Sequence, residues 1–384
     1  MMQNWASGQN IIIITGEASG DLHGANLVRE MQAINPALSF YGIGGPKLKE
    51  AGVELIADAA EIAVVGLTEV ASKLGNFFSI IKKLKSYFDK LQPVLVILID
   101  FPDFNLYIVA REAKKRKIKV FYYISPQVWA WRRGRIKQIK KLVDEMAVIL
   151  PFEVDVYAEE GFQVTYVGHP LLDEVKTRFT NKNEARRHFG LNESKTTIGL
   201  LPGSRTAEVN RLLPEMMRAA QLINKKLPDA QYILPLANTL EEEIVTSIIS
   251  KFGVEVKIVS RGTYDALSCC DFAIVTSGTA TLETGLLGVP MVIVYKLSLF
   301  SALLGSLIID APHIGLVNII AGKTVVPELI QLDANAKRIA NEALALLSSK
   351  EKRGKVIAQL ETVREKLGIP GAAGRAAQIA CNMI

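Results

Sequence analysis

Short runs of Val, Ile, Leu, Phe and Tyr alternate in the first half of the chain with segments whose apolar residues recur at helical spacing. Apolar runs of this kind are typical of strands buried on both faces, and the helices between them allow parallel connections. We therefore predict a doubly wound, parallel α/β sheet. Its strands are expected at residues 11–15, 39–43, 94–99, 119–124, 145–149 and 164–167.

A second set of strand and helix patterns begins after Gly168-His169-Pro170, and from Leu332 onward the chain is helical and polar. A chain of 384 residues exceeds the usual size of a single core. We therefore predict two Rossmann-like domains that face a central cleft, with ligands at the carboxyl ends of the strands. The second set of strands is expected at residues 196–201, 231–235, 255–259, 272–275 and 291–294.

The pause in the pattern places the first domain at residues 1–170 and the second at 171–350. Residues 351–384 are expected to form a helical segment that packs back toward the first domain. The apolar stretch 292–309 contains Lys296 and lies between two prolines, which favours a buried strand and a short helix over a membrane span.

Charge is distributed unevenly along the chain. Residues 62–141 contain 17 Lys and Arg against 5 Asp and Glu, although the net charge of the whole chain is only +6. Such an excess suits anionic lipid headgroups, phosphorylated substrates or nucleic acid. No DNA- or RNA-binding motif accompanies the basic runs, so we expect no nucleic-acid partner.

Cysteine usage indicates the compartment. The three cysteines, two of them adjacent, predict neither a disulfide framework nor a metal site, and they indicate a reducing cytosol. The first residues lack the basic and apolar regions of a signal peptide.

The turn after the strand at 196–201 contains Gly203, Ser204 and Arg205 and precedes a helix. Backbone N–H groups and the dipole at a helix start attract anions, and arginine binds phosphate through two parallel hydrogen bonds. We predict that Ser204 and Arg205 contact a phosphate. An ordinary tight turn with a surface arginine is the alternative.

A similar turn, from Ser277 through Gly278, Thr279 and Ala280, follows the strand at 272–275. Its small residues would let a diphosphate approach the backbone amides. Glu283, one turn into the helix, is placed to accept hydrogen bonds from ribose hydroxyls, or alternatively to close a capping box. Two anion-binding helix starts in one domain predict a nucleoside diphosphate.

In the first domain, the turn Gly16 to Asp21 follows the first strand. It is not a GxGxxG turn, and its two acids would repel a dinucleotide, so a nicotinamide cofactor is not expected. Glu17 and Ser19 are candidates for contact with sugar hydroxyls or an acceptor. Ser19 or Asp21 could instead cap a helix.

Two aspartates, Asp100 and Asp103, follow the very apolar strand at 94–99. Burial would raise the pKa of a carboxylate at this edge of the sheet enough for it to act as a general base. Asp103 follows a proline and could cap the next helix, so we favour Asp100 as the base. Glu17 and Asp21 are weaker candidates.

Two further segments suggest contact with sugars or lipid. Trp129 and Trp131 stand beside a basic run and could stack on a sugar, lie at a membrane interface or pack in the core. Residues 62–88 form an apolar pattern at helical spacing next to Lys73, Lys82, Lys83 and Lys85. A basic amphipathic helix can lie on a membrane, although packing on the sheet is the alternative.

Seven segments occur in the order GEASGD, DFPDFN, SPQVWAWR, GHPL, LPGSR, SGTATLE and VNIIAG between about residues 11 and 328. In this order they resemble the lipid-A-disaccharide synthases. The resemblance implies a GT-B fold and a metal-independent, inverting glycosyltransferase without a cofactor. The implied reaction transfers 2,3-diacylglucosamine from UDP-2,3-diacylglucosamine to 2,3-diacylglucosamine 1-phosphate. Its products would be the β-1,6-linked lipid A disaccharide 1-phosphate and UDP.

The resemblance also implies roles for single residues. Asp100 matches the proposed base, Arg205 the diphosphate-binding arginine, Glu283 the acid that holds the ribose, and Asn318 a polar residue important for activity. We expect Glu17, Ser19, Asp103 and Asn318 to contact substrate. The first domain would bind the acceptor and dock on a membrane, and the second would bind the UDP-sugar.

The implied partners are the two acylated sugars and an anionic lipid surface. The location would be cytoplasmic, on the inner membrane of a Gram-negative-type bacterium. Whether the chain forms a homodimer stays open. Two other functions also stay open: another UDP-sugar enzyme, such as a UDP-N-acetylglucosamine epimerase or a peptidoglycan glycosyltransferase, or a noncatalytic nucleotide-lipid-binding peripheral membrane protein. Soluble substrates would leave the amphipathic segment unexplained.

Overall fold

The computed structural model describes residues 9–63, 70–129, 133–296 and 312–384. The chain forms two compact units, one made of Met1–Pro170 together with Ile369–Ile384, the other of Leu171–Gly368. Trp131, the start of the amphipathic segment at 64–69 and the helix expected near 297–309 lie outside the described residues.

The first unit contains a seven-stranded parallel sheet in the order β3-β2-β1-β4-β5-β6-β7. All four isoleucines of its first strand are fully buried, because Ile12 and Ile14 pack on one face of the sheet while Ile11 and Ile13 pack on the other. The strands are β1 Gln9–Ile14, β2 Leu38–Gly44, β3 Glu54–Asp58, β4 Leu95–Ile99, β5 Lys119–Tyr123, β6 Glu145–Val148 and β7 Thr165–Tyr166.

Helices cover both faces of this sheet, as a fully apolar parallel sheet requires. They are α1 Ala18–Ile34, α2 Pro46–Glu50, α3 Ala59–Ala63, α4 Val70–Leu91, α5 Pro102–Phe104, α6 Ala110–Lys115, α7 Ile136–Leu142 and α8 Glu153–Glu159. A π-helical turn, Asn105–Val109, joins α5 to α6, and a short 3₁₀ turn, Arg133–Arg135, precedes α7.

The second unit repeats this plan with a six-stranded parallel sheet in the order β10-β9-β8-β11-β12-β13. Its strands are β8 Thr197–Leu201, β9 Gln231–Pro235, β10 Val256–Val259, β11 Phe272–Thr276, β12 Met291–Tyr295 and β13 Glu328–Ile330. Its helices are α9 Leu171–Glu174, α10 Lys182–His188, α11 Thr206–Asn224, α12 Glu242–Ile249, α13 Thr263–Ser268, α14 Thr279–Leu286, α15 Leu316–Ala321, α16 Ala336–Leu347 and α17 Lys350–Lys366.

The two doubly wound parallel sheets confirm the predicted fold class. Every strand that we expect from the sequence is present within one or two residues of its predicted bounds. The pattern misses β3 and β13, which are short strands at sheet edges. Their sequences, ELIAD and ELI, contain at most three consecutive apolar residues, which is too few for a clear strand pattern.

The C-terminal helical segment is divided between the two units. Helix α17 packs against α14 and α15 in the second unit. The last helix, α18 Ala372–Asn382, packs on α1 in the first unit, and Arg375 Nε donates a hydrogen bond to the carbonyl of Val167 at 2.8 Å. The segment 351–384, expected to return as one piece, therefore returns from Ile369 onward.

Candidate active-site residues at two switch points

The predicted site residues, with the exception of Asn318, lie beyond the carboxyl ends of four strands. In the first unit these strands are β1 and β4, which pair directly; in the second unit they are β8 and β11. The strand order reverses between the members of each pair. Such switch points are where doubly wound sheets bind ligands. We call them the first and the second switch point.

At the first switch point, the chain after β4 makes an unusual turn. Asp100 and Phe101 both have a φ of 49°, in the left-handed region that non-glycine residues rarely adopt. The carbonyl of Asp100 accepts hydrogen bonds from the Tyr122 hydroxyl at 2.7 Å and from Asn105 Nδ2 at 2.6 Å. A Cβ at Gly16 would lie 2.3 Å from Phe101 Cγ, so only glycine fits there. The turn is thus fixed from three sides, as strained functional turns require.

The electrostatic surroundings of Asp100 suit a proton acceptor. Burial raises the pKa of its carboxyl, and the negative charge of Glu17 raises it further. The backbone N–H of Phe101 and the nearby His23 act in the opposite direction. A carboxylate with a raised pKa holds a proton more readily than a surface aspartate does, which is the property that a general base needs.

Asp103 does not cap a helix through its side chain. The N-terminal cap position of α5 is Phe101, without a side-chain hydrogen bond. Asp103 is 65% exposed and forms an ion pair with the buried Arg135. Its carboxylate is therefore accessible, but it is neutralised by a cation.

Glu17 and Ser19 are exposed at the start of α1, where Glu17 is the cap residue without a side-chain cap bond. Asp21 is buried, and its carboxylate accepts the N–H groups of Gly45 at 2.7 Å, Lys47 at 2.8 Å and Leu48 at 3.2 Å. Asp21 thus caps α2 across the fold, and this role removes it as a candidate base.

A buried network supports the loop after β5. The Ser125 hydroxyl lies 2.6 Å from the Tyr157 hydroxyl. Glu153 accepts the N–H of Leu150 at 3.0 Å, and the polar groups of Ser125 and Trp129 act to lower its pKa. Burial raises the pKa of Glu153 to about 7. The sequence does not predict this buried network, since Glu153 resembles an ordinary glutamate in the first turn of a helix.

Trp129 packs against a neighbouring aromatic ring, and core packing is one of the three roles that its sequence position suggests. Its ring meets the Phe152 ring edge to face, with centroids 5.1 Å apart. At the end of the first unit, burial lowers the pKa of His169 to about 3, with a further contribution from His23. His169 is consequently neutral near pH 7.

In the second unit, the turn after β8 holds Ser204 and Arg205 as predicted, both exposed. The Ser204 N–H donates to Glu208 Oε2 at 3.2 Å, and Arg205 lies 3.8 Å from Glu208. Gly203 has a φ of 112°, and a Cβ there would meet Glu208 Oε2 at 2.4 Å. The carboxylate of Glu208 therefore contacts the Ser204 N–H and the Arg205 guanidinium, which are the two groups that we expect to bind a phosphate.

The turn after β11 presents free backbone donors. In the described part of the chain, no acceptor lies within hydrogen-bond distance of the N–H groups of Gly278, Thr279 and Ala280. Ser277 differs, because its N–H donates to the Val294 carbonyl at 3.1 Å and its hydroxyl to the Ile314 carbonyl at 2.9 Å. Ser277 thus anchors the turn, and the next three amides are placed to bind an anion.

Glu283 accepts a hydrogen bond from the Tyr264 hydroxyl at 3.0 Å instead of closing a capping box. Burial raises its pKa, the Tyr264 hydrogen bond lowers it and the charge of Glu174 raises it. The sequence analysis missed Tyr264 and Glu174. It also missed Thr276, whose buried hydroxyl has no hydrogen-bond partner among the described residues.

Asn318 is fully buried, and its amide is occupied. Nδ2 donates to the Val326 carbonyl and to Glu328 Oε1, both at 2.8 Å, while Oδ1 accepts the N–H groups of Val325 and Val326 at 2.8 and 3.1 Å. Glu328 also accepts the N–H groups of Ile314 and Gly315. This geometry favours a role in ordering the loop that anchors Ser277 over the direct substrate contact that we predict.

The amphipathic helix α4 is used largely for packing. Ile80, Leu84 and Phe88 are buried on the first sheet, whereas Phe78 is 63% exposed. Lys83 donates to the Ile56 carbonyl. No helix in the described ranges is long and apolar enough to cross a membrane.

Two doubly wound parallel-sheet units in one chain define the GT-B fold. Solved structures share this fold over nearly the full chain. A UDP-GlcNAc 2-epimerase from Neisseria meningitidis bound to UDP-GlcNAc has a TM-score of 0.63 at 13% identity, covering 97% of this chain and 98% of that one. The glycosyltransferase of kitacinnamycin has a TM-score of 0.63 at 14% identity, covering 98% and 99%.

Sequence relatives are more specific. Residues 11–380 match the model of the lipid-A-disaccharide synthetase family. A lipid-A-disaccharide synthase of Syntrophus aciditrophicus is 54% identical over 97% of both chains, and one of Geobacter sulfurreducens is 46% identical over 98% of both. The chain belongs to the lipid-A-disaccharide synthetase family, and it is a UDP-sugar-dependent glycosyltransferase of lipid A biosynthesis, as the motifs predict.

Proposed function

We propose that the chain joins two acylated glucosamines, with Asp100 as the general base. The donor is UDP-2,3-diacylglucosamine, and the acceptor is 2,3-diacylglucosamine 1-phosphate. The observation that carries this assignment is the partly buried carboxylate of Asp100 on the fixed backbone turn of the first switch point. Burial raises the pKa of this carboxyl. The neighbouring acids Asp21 and Asp103 are used differently, since Asp21 caps α2 and Asp103 pairs with Arg135.

The reaction is an inverting displacement. The acceptor's 6-hydroxyl oxygen forms a bond to the donor's anomeric carbon while the bond from that carbon to the UDP oxygen breaks. Asp100 takes the hydroxyl proton, and the leaving diphosphate keeps the electron pair. Glu17, Ser19 and Asp103 are assigned to the acceptor, because they are exposed around the same turn.

The second switch point is assigned to the UDP. The free amides of Gly278, Thr279 and Ala280 and the guanidinium of Arg205 would stabilise the diphosphate as it leaves, together with the turn at Ser204. When the donor binds, the guanidinium of Arg205 must leave the carboxylate of Glu208 and bind the diphosphate instead. Glu283, held by Tyr264, would accept the ribose hydroxyls.

The same proposal includes peripheral association with an anionic inner-membrane surface. Both substrates carry acyl chains, so an enzyme that takes them from a bilayer benefits from apolar side chains at the lipid surface. The exposed Phe78 on α4 and the basic excess of residues 62–141 support this surface.

Substitution of the proposed base separates chemistry from nucleotide binding. Asp100→Asn should lower kcat by about 100- to 10,000-fold, because general-base catalysis contributes on that order. UDP affinity, measured by calorimetry, should stay unchanged. The assay contains UDP-2,3-diacylglucosamine and the acceptor phosphate in neutral detergent, and product is quantified by mass spectrometry.

Arg205→Ala is the matched variant at the second switch point. It should weaken UDP binding, because it removes a cation from the diphosphate position. Near-normal turnover of Asp100→Asn would refute the base assignment, and unchanged UDP affinity of Arg205→Ala would refute the diphosphate assignment. Turnover with UDP-N-acetylglucosamine but not with acylated donors would refute the proposed substrates.

A further inference from the structure

Beside the Asp100 turn, four side chains form what we call the Tyr107 cluster: Asp103, Tyr107, Arg111 and Arg135. Tyr107 lies in the π-helical turn between α5 and α6 and is 45% exposed. The guanidinium carbon of Arg111 lies 5.5 Å from the centroid of its ring, and that of Arg135 lies 6.0 Å from it. One aromatic ring thus orders two guanidinium groups through cation–π contacts.

The two arginines differ in their surroundings. Arg135 is buried and paired with Asp103. Arg111 is exposed and has no acidic partner among the described residues. The cluster therefore carries a net positive charge, and its accessible cation is held by the ring of Tyr107.

The cluster is electrostatically close to the proposed base. The Tyr122 hydroxyl donates to the Asp100 carbonyl at 2.7 Å. Burial raises the pKa of Tyr122, the charge of Asp100 raises it further, and the positive charge of Arg135 opposes both. Asp103, three residues after Asp100, forms the ion pair with Arg135, so the cluster begins beside the turn that holds the proposed base.

We propose that Arg111 binds the phosphate monoester of the acceptor, with Tyr107 and Arg135 as positioning residues. This inference rests on the proposed function, in which the acceptor is a sugar 1-phosphate. A guanidinium offers paired donors to a phosphate, and an ordered guanidinium loses less conformational entropy on binding. Arg205 is assigned to the donor's diphosphate, so the acceptor's phosphate needs a cation of its own.

The same chemistry would also attract the phosphate of a membrane headgroup. The two sources are distinguished by presenting the acceptor in neutral detergent micelles, where no anionic lipid competes. Binding of each variant to vesicles of phosphatidylglycerol and phosphatidylcholine is measured separately.

The experiment compares the phosphorylated acceptor with the same diacylglucosamine lacking the phosphate. Arg111→Gln should raise KM and Kd for the phosphorylated acceptor by about 10- to 100-fold, the range for a hydrogen bond to a charged group. The phosphate-free sugar should bind wild type and variant equally. KM for the UDP-sugar should stay within about twofold, because that substrate does not use Arg111.

Control variants test the geometry. Arg29→Gln removes the same charge from the exposed end of α1 near the amino ends of the strands, and it should change neither constant. Tyr107→Phe keeps the ring and should keep the phosphate preference, whereas Tyr107→Leu should lose part of it.

The outcomes separate the two proposals. If Arg111→Gln raises KM and Kd equally for the phosphorylated and the phosphate-free acceptor, or for neither, the phosphate site is wrong. It is also wrong if the variant loses only vesicle binding. Selective loss of phosphorylated-acceptor binding by calorimetry, without sugar transfer by wild type, would support the site and refute the proposed function.

Discussion

At the residue scale, the chain places acids of the same type in very different electrostatic states. Asp21 is buried and accepts three N–H groups, Asp103 is exposed beside a guanidinium, and Asp100 is partly buried near the charge of Glu17. Surroundings, more than residue type, decide which carboxylate can take a proton. Sequence alone ranks Asp100 first because it lacks an obvious capping role. The raised pKa of its carboxyl supports the proposal that it is the base.

Glu153 makes stability depend on pH in a direction opposite to most acids. Its folded-state pKa of about 7 is above the usual value of a glutamate, so its contribution is fully present below about pH 4.5 and is lost as pH rises through 7. The shift corresponds to about 3 kcal/mol. Glu153→Gln should therefore reduce the fall in unfolding free energy between pH 5 and pH 8, measured by urea titration.

The control is Glu160→Gln, an exposed glutamate just after the same helix. It removes the same charge without touching the Ser125 loop, so its stability should follow that of wild type at both pH values. An identical pH dependence for wild type and Glu153→Gln would contradict the assigned pKa.

At the element scale, α4 has buried side chains that pack on the first sheet and, at a neighbouring position, the exposed side chain of Phe78. Phe78→Ser should weaken binding to phosphatidylglycerol vesicles by about tenfold, since it removes one exposed aromatic side chain from the proposed lipid surface. Cosedimentation measures this affinity. Higher salt should weaken the binding of wild type as well, because the lysines of the same region are screened.

Ile357→Ser provides the comparison, because Ile357 is also partly exposed but lies on α17 in the second unit. Its vesicle binding should equal that of wild type. Equal losses in both variants would indicate nonspecific adsorption, and no loss for Phe78→Ser would exclude that side chain from the lipid surface.

Elements with long apolar runs were predictable from the sequence, whereas those defined by partners were not. The isoleucines of β1 specify a strand by themselves, but β3 and β13 owe their pairing to the neighbouring edge. The site shows the same division. Arg205 and the amides after Gly278 follow from local turn chemistry. Tyr264 and the Glu328–Asn318 network depend on contacts that no local pattern encodes.

At the scale of the whole molecule, α18 completes the first unit. Ala376 and Ala380 are fully buried, and the Met383 carbonyl accepts a hydrogen bond from Lys119 Nζ at 2.6 Å. Ala376→Asp should destabilise the first unit by more than about 2 kcal/mol, since it buries an unpaired charge. Hydrogen exchange should show faster exchange in α1 and β1, with protection in β8 and β11 unchanged.

Gln378→Asp adds the same charge on the exposed side of α18 and should leave exchange at wild-type rates. Uniform loss of protection in both units after Ala376→Asp would contradict their description as separately packed bodies.

The return of α18 makes the second unit an insertion within the first. A ribosome therefore completes every residue of the inserted unit before it supplies the helix that covers α1. Domains generally fold as units during synthesis. Vectorial synthesis thus favours early folding of the second unit, while the nascent first unit keeps an uncovered apolar surface until its last helix emerges.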